Sequence, residues 1–238
     1  MVIGRANKLF LNSCKKIFCY SQNIRNIPNK FLSKIIVIKP LLRKYFYLEV
    51  AKKSSSLKKK LNLLIIGGSQ GARLFDSVLK KSIIELAKEY KIKIYHQTQM
   101  TNLKDLKNFY VNNNIDNHIF SYDENILPII SKANLCITRA GASTLSELVF
   151  LNIPFLTIPL LNSKDNHQYE NAVFYKNLGC CWILKQDSLD DNKIKNSLVS
   201  IIENEEDYLR KKNNMHEFSS QNNWNNINQK IISTLNGN

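Results

Sequence analysis

Three polar stretches in this chain each follow an apolar run and precede a helical period. The first is Gly67-Gly68-Ser69-Gln70-Gly71-Ala72-Arg73. Glycines let the backbone approach an anion closely, and free N–H groups at a helix start favour negative charge. Gly68 and the Ser69 hydroxyl could thus cradle a phosphate. The stretch has neither the Lys-Ser/Thr pair of a P-loop nor the glycine spacing of a dinucleotide fingerprint, so a bare tight turn fits it equally well. The second is Thr138-Arg139-Ala140-Gly141-Ala142-Ser143-Thr144-Leu145-Ser146-Glu147. Ser143 and Thr144 could cap a helix there, and Glu147 falls one turn in. A carboxylate at that point can accept two hydrogen bonds from a sugar diol, or it can close a capping box with Thr144. The third runs from Asn162 to Ala172 and includes Asp165, Asn166 and Gln168. Carboxamides both donate and accept, which suits sugar hydroxyls.

The remaining reactive residues form no comparable pattern. His96, His118 and His216 have no partner spacing and read as structural, and His167 reads as a hydrogen-bonding group at a helix start. The cysteines Cys14, Cys19, Cys136, Cys180 and Cys181 show no metal spacing, and the last three sit in apolar surroundings as small core residues. They fit a reducing compartment. No metal or cofactor is expected.

Charge is unevenly placed. Of the 34 Lys and Arg, 15 lie in residues 1–60 with a single acid, Glu49, while the rest of the chain is nearly balanced. An anionic membrane face or an anionic substrate would suit such a segment, and so would a solvated basic face of no special purpose. Nucleic acid lacks a supporting motif. No apolar run reaches the length of a membrane span. The opening MVIGRANKLFLNSCKKIF has no secretory core. Its basic, weakly amphipathic character leaves open a transit peptide or a helix lying on protein or lipid.

These loops need elements to position them, and the hydrophobic pattern supplies them. Short apolar runs at Leu61–Ile66, Ile92–Tyr95, Ile119–Phe120, Leu135–Thr138, Phe155–Ile158 and Cys181–Leu184 read as strands. Between them lie helical periods: Leu74 to Ala87, residues 102–112, a short helix through Ile126 and Ile130 that Asp123 could cap, Ser143–Leu151 and 167–178. Two or three helices follow over 189–236. Strands alternating with helices predict an α/β fold with a parallel sheet covered on both faces. In such sheets ligands bind at the carboxyl ends of the strands, where all three polar stretches fall. Together they offer a phosphate turn, a diol acceptor and polar amides, the layout that a nucleoside-diphosphate sugar needs. Residues 1–50 give one amphipathic helix over 5–18, a strand at Ile35–Ile38 and too little else to close a domain. Residues 51–60, AKKSSSLKKK, have linker composition.

GGSQGAR, RAGASTLSE, the Pro-Phe-Leu-Thr-Ile-Pro strand and DNHQYENA resemble, in order and spacing, the C-terminal domain of the MurG-type transferases of peptidoglycan synthesis. The resemblance runs from about Leu61 to the end. GRANKLF and Lys39-Pro40-Leu41-Leu42-Arg43 resemble helix and loop motifs that close that family's N-terminal domain. It implies a GT-B fold: a donor domain over 61–200, a helical tail over 201–238 packing back toward the N-terminal part, and a remnant of an acceptor domain over 1–50. It further implies an inverting transfer of N-acetylglucosamine from UDP to a lipid-linked muramyl-pentapeptide, on the cytoplasmic face of the bacterial inner membrane.

By the same resemblance, Gly68 and Ser69 would meet the diphosphate. Ala142, Ser143, Thr144, Leu145, Ser146 and Glu147 would hold the nucleotide, with Glu147 on the ribose. Gln168 would meet the sugar, and Arg43 would reach the donor from the hinge. Asp123 stands where the family has an apolar residue whose backbone pairs with uracil, and Arg139 would steady the loop or the phosphate charge. The family's Gly-rich loop with its His, a proposed general base, has no match in this sequence, so no catalytic residue is assigned. Two alternatives remain: a non-catalytic UDP-sugar-binding subunit acting with a separate acceptor-binding chain, and an inactive fragment.

Overall fold

The computed structural model describes residues 3–48, 56–160, 163 and 166–237, without the side chains of residue 5 and residues 69–72. Its main feature is a six-stranded sheet in which every pairing is parallel. The strands are β3 (Leu61–Ile66), β4 (Ile92–Gln97), β5 (Asp116–Phe120), β6 (Leu135–Thr138), β7 (Phe155–Thr157) and β8 (Cys181–Ile183), in the order β5-β4-β3-β6-β7-β8. The order reverses between β3 and β6, so the crevice at their carboxyl ends is where a doubly wound sheet takes its ligand. A pair of short parallel strands, β1 (Ile17–Cys19) and β2 (Ile35–Val37), forms a separate sheet.

The central strands are apolar because both faces are covered. Along β3, Leu64 and Ile66 enter one core, with Leu145, Leu148, Phe155 and Met215. Leu63 and Ile65 enter the other, with Phe75, Ile83, Ile94 and Leu198. The alternation follows the two-residue period of a strand. Removing a side chain such as Leu63, which is fully buried, would cost about 2–5 kcal/mol.

The helices that start at the ligand-bearing edge are α2 (Gly68–Val78), α6 (Ala142–Phe150) and α7 (His167–Asn177). The period read from Leu74 to Ala87 divides at Leu79 into α2 and α3 (Lys80–Glu89). After β4 comes α4 (Leu103–Asn112), and before β6 comes α5 (Leu127–Ile130). The tail contains α8 (Asp191–Glu203), α9 (Glu205–Ser219) and α10 (Trp224–Leu235). Asp190, Asn204 and Asn223 cap these three by accepting from Lys193 N, Asp207 N and Asn226 N. The tail also reaches the N-terminal segment, since Lys39 Nζ donates to Phe218 O at 2.8 Å and Asn222 Nδ2 to Pro40 O at 3.1 Å.

The expected helix over 5–18 is corrected. Helix α1 covers only Arg5–Leu9, and residues 17–19 are strand β1. The Lys34 ammonium takes the carbonyls of Leu11, Asn12 and Cys14 at 3.0, 3.5 and 2.6 Å. Carbonyls committed to a distant cation lie outside a helical ladder, and the chain turns into a strand instead. Of the expected linker, residues 51–55 lie outside the described residues, and Leu57 is buried in the second core.

Candidate functional site

A cavity of about 640 Å³ opens at the sheet edge beside the reversal point, lined by residues from four loops and by Arg43 of the N-terminal segment. It brings together Arg43, Gly68, Asp123, Thr144 and Glu147 of the residues singled out in the sequence. Gln97 at the end of β4, Thr98, Gln99 and Met100 after it, and Ser121 and Tyr122 after β5 also line the walls. Sequence reasoning missed these six, although both groups lie at the carboxyl ends of strands, where the strand-end rule pointed.

The glycine turn has the form that close approach requires. Gly68 has φ +64°, a left-handed conformation that costs a residue with a Cβ about 1–2 kcal/mol. Its N–H donates to Gln97 Oε1 at 3.3 Å. The Ser69 side chain lies outside the described residues, and its backbone falls in the first turn of α2.

Glu147 is one of three charged residues that line the cavity, with Arg43 and Asp123. The residue is 6% exposed and stands on α6 in the cavity wall. Arg43 Nη2 and Nε lie 2.9 and 3.1 Å from its Oε1. The capping-box alternative is not what forms: the N-cap is Gly141, no side chain caps α6, and Glu147 pairs with Arg43 instead. Burial pushes the Glu147 carboxyl up from its ordinary value, and the Arg43 charge opposes that rise. Arg43 also donates from Nη1 to Glu124 O at 2.8 Å, beside Tyr45 Oη at 2.8 Å on the same carbonyl. One guanidinium thus ties the helix after β6 to the loop after β5.

The rest of the second motif divides by face. Ala142 and Ser143 are exposed at the helix start, and Thr144 is half-buried at the cavity wall. Leu145 lies in the core, and Ser146 Oγ bonds Ala142 O at 2.8 Å and Tyr175 Oη at 2.9 Å. Any ligand contact from Leu145 or Ser146 would be through backbone. Arg139 Nη1 donates to Ile158 O at 2.9 Å and Gln186 Oε1 at 2.7 Å, and its guanidinium stacks over Phe75. It is not among the cavity-lining residues; it braces the loop.

The cap that Asp123 could provide does not form: its Oδ1 accepts from Asn125 N at 2.8 Å in a local turn, and α5 starts later with Ile126 as N-cap. Of the third stretch, Asn162, Lys164 and Asp165 lie outside the described residues. Asn166 is left-handed at φ 55° as it enters α7. Gln168 Oε1 accepts from Leu160 N at 2.9 Å, and its own N–H donates to Ser163 Oγ at 3.3 Å, so Gln168 braces the loop it sits in. Asn171 Nδ2 donates to Ala140 O at 3.1 Å, joining α7 to the second motif.

Residues 62–229 match the glycosyltransferase family 28 C-terminal domain. The UDP-N-acetylglucosamine–N-acetylmuramyl-(pentapeptide) pyrophosphoryl-undecaprenol N-acetylglucosamine transferase of Pelagibacter ubique is 53% identical over 238 residues, covering 100% of this chain and 66% of that protein. The same-named protein of Rickettsia bellii is 33% identical over 207 residues, covering 85% of this chain and 58% of its own length. This chain therefore spans about two thirds or less of these relatives. In fold, MurG of Acinetobacter baumannii superposes with a TM-score of 0.72 at 22% identity, over 99% of this chain and 64% of that one. A Phytolacca americana UGT2 complexed with UDP-2-fluoro-glucose follows at 0.62 and 13%, over 87% and 48%. The expected α/β, GT-B-type architecture is thus present, and the chain belongs to glycosyltransferase family 28 through its C-terminal domain.

Proposed function

We propose that this chain is the donor half of a hexosyltransferase that moves N-acetylglucosamine from UDP-N-acetylglucosamine to the lipid-linked muramyl-pentapeptide of peptidoglycan synthesis. The observation that carries the reading is the cavity at the sheet reversal, where a left-handed Gly68 turn and the buried Glu147 carboxylate face one space. The 53% identity to the Pelagibacter transferase supplies the sugar and the acceptor.

In this reading the α2 turn takes the diphosphate on its N–H groups and Glu147 accepts from the ribose diol. The backbone at Asp123 meets the base, and Gln168 reaches the sugar from the α7 side. The acceptor hydroxyl attacks C1 of the sugar, and the C1–O bond to the diphosphate breaks with inversion. UDP leaves with the bonding electron pair, and the hydroxyl proton passes to a base outside the matched motifs. Stabilising the charge that grows on the leaving diphosphate is the work of the α2 turn. The basic N-terminal segment fits an anionic membrane surface, consistent with peripheral attachment on the cytoplasmic face, and no helix among the described residues is long and apolar enough to cross a membrane.

The test is transfer of labelled N-acetylglucosamine from UDP to the lipid-linked acceptor. The chain is assayed alone and mixed with the portion of the Pelagibacter relative that it does not span. Transfer that depends on that added portion supports a donor half acting with an acceptor half. No transfer in either case, from a folded chain, contradicts the reading.

A further inference from the structure

Helix α2 is joined to the end of β4 and the segment after it at three points, and the stretch it holds, Gln97 to Met100, lines the cavity. Gly68 N donates to Gln97 Oε1 at 3.3 Å, and Arg73 Nε donates to Gln99 Oε1 at 2.9 Å. The third point is Asp76, a buried carboxylate farther along the helix that Gly68 opens. Its Oδ2 accepts from Thr98 Oγ1 at 2.6 Å and Asn102 Nδ2 at 3.0 Å, and its Oδ1 faces His96 Nε2 at 3.3 Å. His96 is fully buried, with Nδ1 2.9 Å from Tyr110 Oη. When Tyr110 donates to Nδ1, the imidazole proton sits on Nε2 and faces the carboxylate.

Burying a carboxylate is costly unless its lone pairs are satisfied, and an apolar residue would fill such a space at less cost. Asp76 therefore calls for an account beyond packing. The groups that hold it come from β4, the segment after it and the start of α4's approach, and Gln97 through Met100 of that segment line the cavity. Asp76 does not line it, so any effect it has on the cavity passes through these groups.

We propose that Asp76 is a positioning residue for the diphosphate end of the site, fixing the 97–102 segment against the glycine turn so that both walls are preformed. This rests on the donor-site reading above. Burial works to raise the Asp76 carboxyl, but the approach of His96 and the hydrogen bonds from Thr98 and Asn102 outweigh it and hold the group below its ordinary range, so it is ionised at neutral pH. Burial holds His96 down, with Lys80 acting the same way and Asp76 opposing, so the imidazole is neutral.

The experiment compares the native chain with Asp76→Ala and Asp76→Asn in two measurements. The first, without ligand, is amide hydrogen exchange. Asp76→Ala is expected to speed exchange at residues 67–72 and 97–102 by about tenfold, with β6 and β7 unchanged. The second is titration with UDP and with uridine. Asp76→Ala should lower UDP affinity by about tenfold relative to uridine, and Asp76→Asn, whose side-chain oxygen still accepts from Thr98, should restore most of it. Uniformly faster exchange, equal losses for UDP and uridine, or no change in a folded Asp76→Ala would each overturn the proposal. A native chain that binds no UDP removes the donor reading and the phosphate role with it. The exchange measurement still shows whether Asp76 couples the two segments, so the two failures are told apart.

Discussion

Arg43 and Glu147 meet in the cavity wall through a single carboxylate oxygen, with Nη2 2.9 Å and Nε 3.1 Å from Oε1. The pair joins the N-terminal segment to the helix after β6 and leaves Oε2 outside the guanidinium fork. Arg43→Ala should raise the Glu147 carboxyl further, because it removes the charge that opposes burial. The Arg43 side chain is 41% exposed but that of Glu147 only 8%, so the variant leaves a buried carboxylate unpaired and should lose about 1–3 kcal/mol of folding stability. Donor affinity should fall about tenfold through the loss of both the Glu147 and the Glu124 contacts. Arg43→Lys should recover little, since an ammonium cannot reproduce the planar fork. Thermal melting and donor titration of the two variants check this.

Glu147 should cost stability in the free protein at neutral pH. A carboxyl whose folded pKa stands above its unfolded value binds its proton more tightly in the folded state. Its favourable contribution is therefore fully present below about pH 4, near the unfolded pKa, and is lost as pH rises through the raised pKa. Glu147→Gln removes that dependence. Its stability relative to the native chain should improve between about pH 4 and pH 7, while donor binding is lost. Denaturant unfolding at several pH values measures it, and a relative stability independent of pH would contradict the assignment.

Gln168 should separate the sugar from the nucleotide. In the α7 approach its side-chain oxygen is taken by Leu160 N, which leaves the amide NH₂ for a ligand. Gln168→Glu keeps the acceptor and loses the donor. It should weaken UDP-N-acetylglucosamine by roughly 1–2 kcal/mol and leave UDP unchanged. Parallel titrations with the two ligands decide it, and equal losses would place Gln168 on the nucleotide instead.

Gly179 provides a stability control remote from the cavity. It ends α7 at φ +69°, and a Cβ there would run into the Asn214 side chain on α9, whose Nδ2 donates to Gly179 O at 3.2 Å. Gly179→Ala should cost about 1–3 kcal/mol of stability with donor affinity unaltered. Unfolding midpoint and donor titration test both halves of the statement.

The parts of the fold that the sequence made legible are those set by local pattern. The apolar runs of β3 and β6 are buried on both faces, and the turn at Gly67–Gly68 lies between an apolar strand and a helical period. The parts it hid depend on distant partners. Nothing local in residues 5–18 signals that Lys34 will take three of their carbonyls. Glu147 reads as a capping-box residue until Arg43, far away in the chain, is brought beside it. Gln97 and Asp76 are ordinary residue types in ordinary positions. Gln97 reaches the cavity, and Asp76 meets Thr98 and Asn102, only because β4 lies next to β3 and carries its following segment past the glycine turn.

The central claim is that a working UDP-sugar site exists in this chain. Calorimetric titration of the purified chain with UDP-N-acetylglucosamine, with Glu147→Ala alongside, tests it most directly. Saturable binding that the variant loses is the predicted result. A folded native chain that takes up no heat-producing ligand, or a variant that binds as well as the native chain, would contradict it.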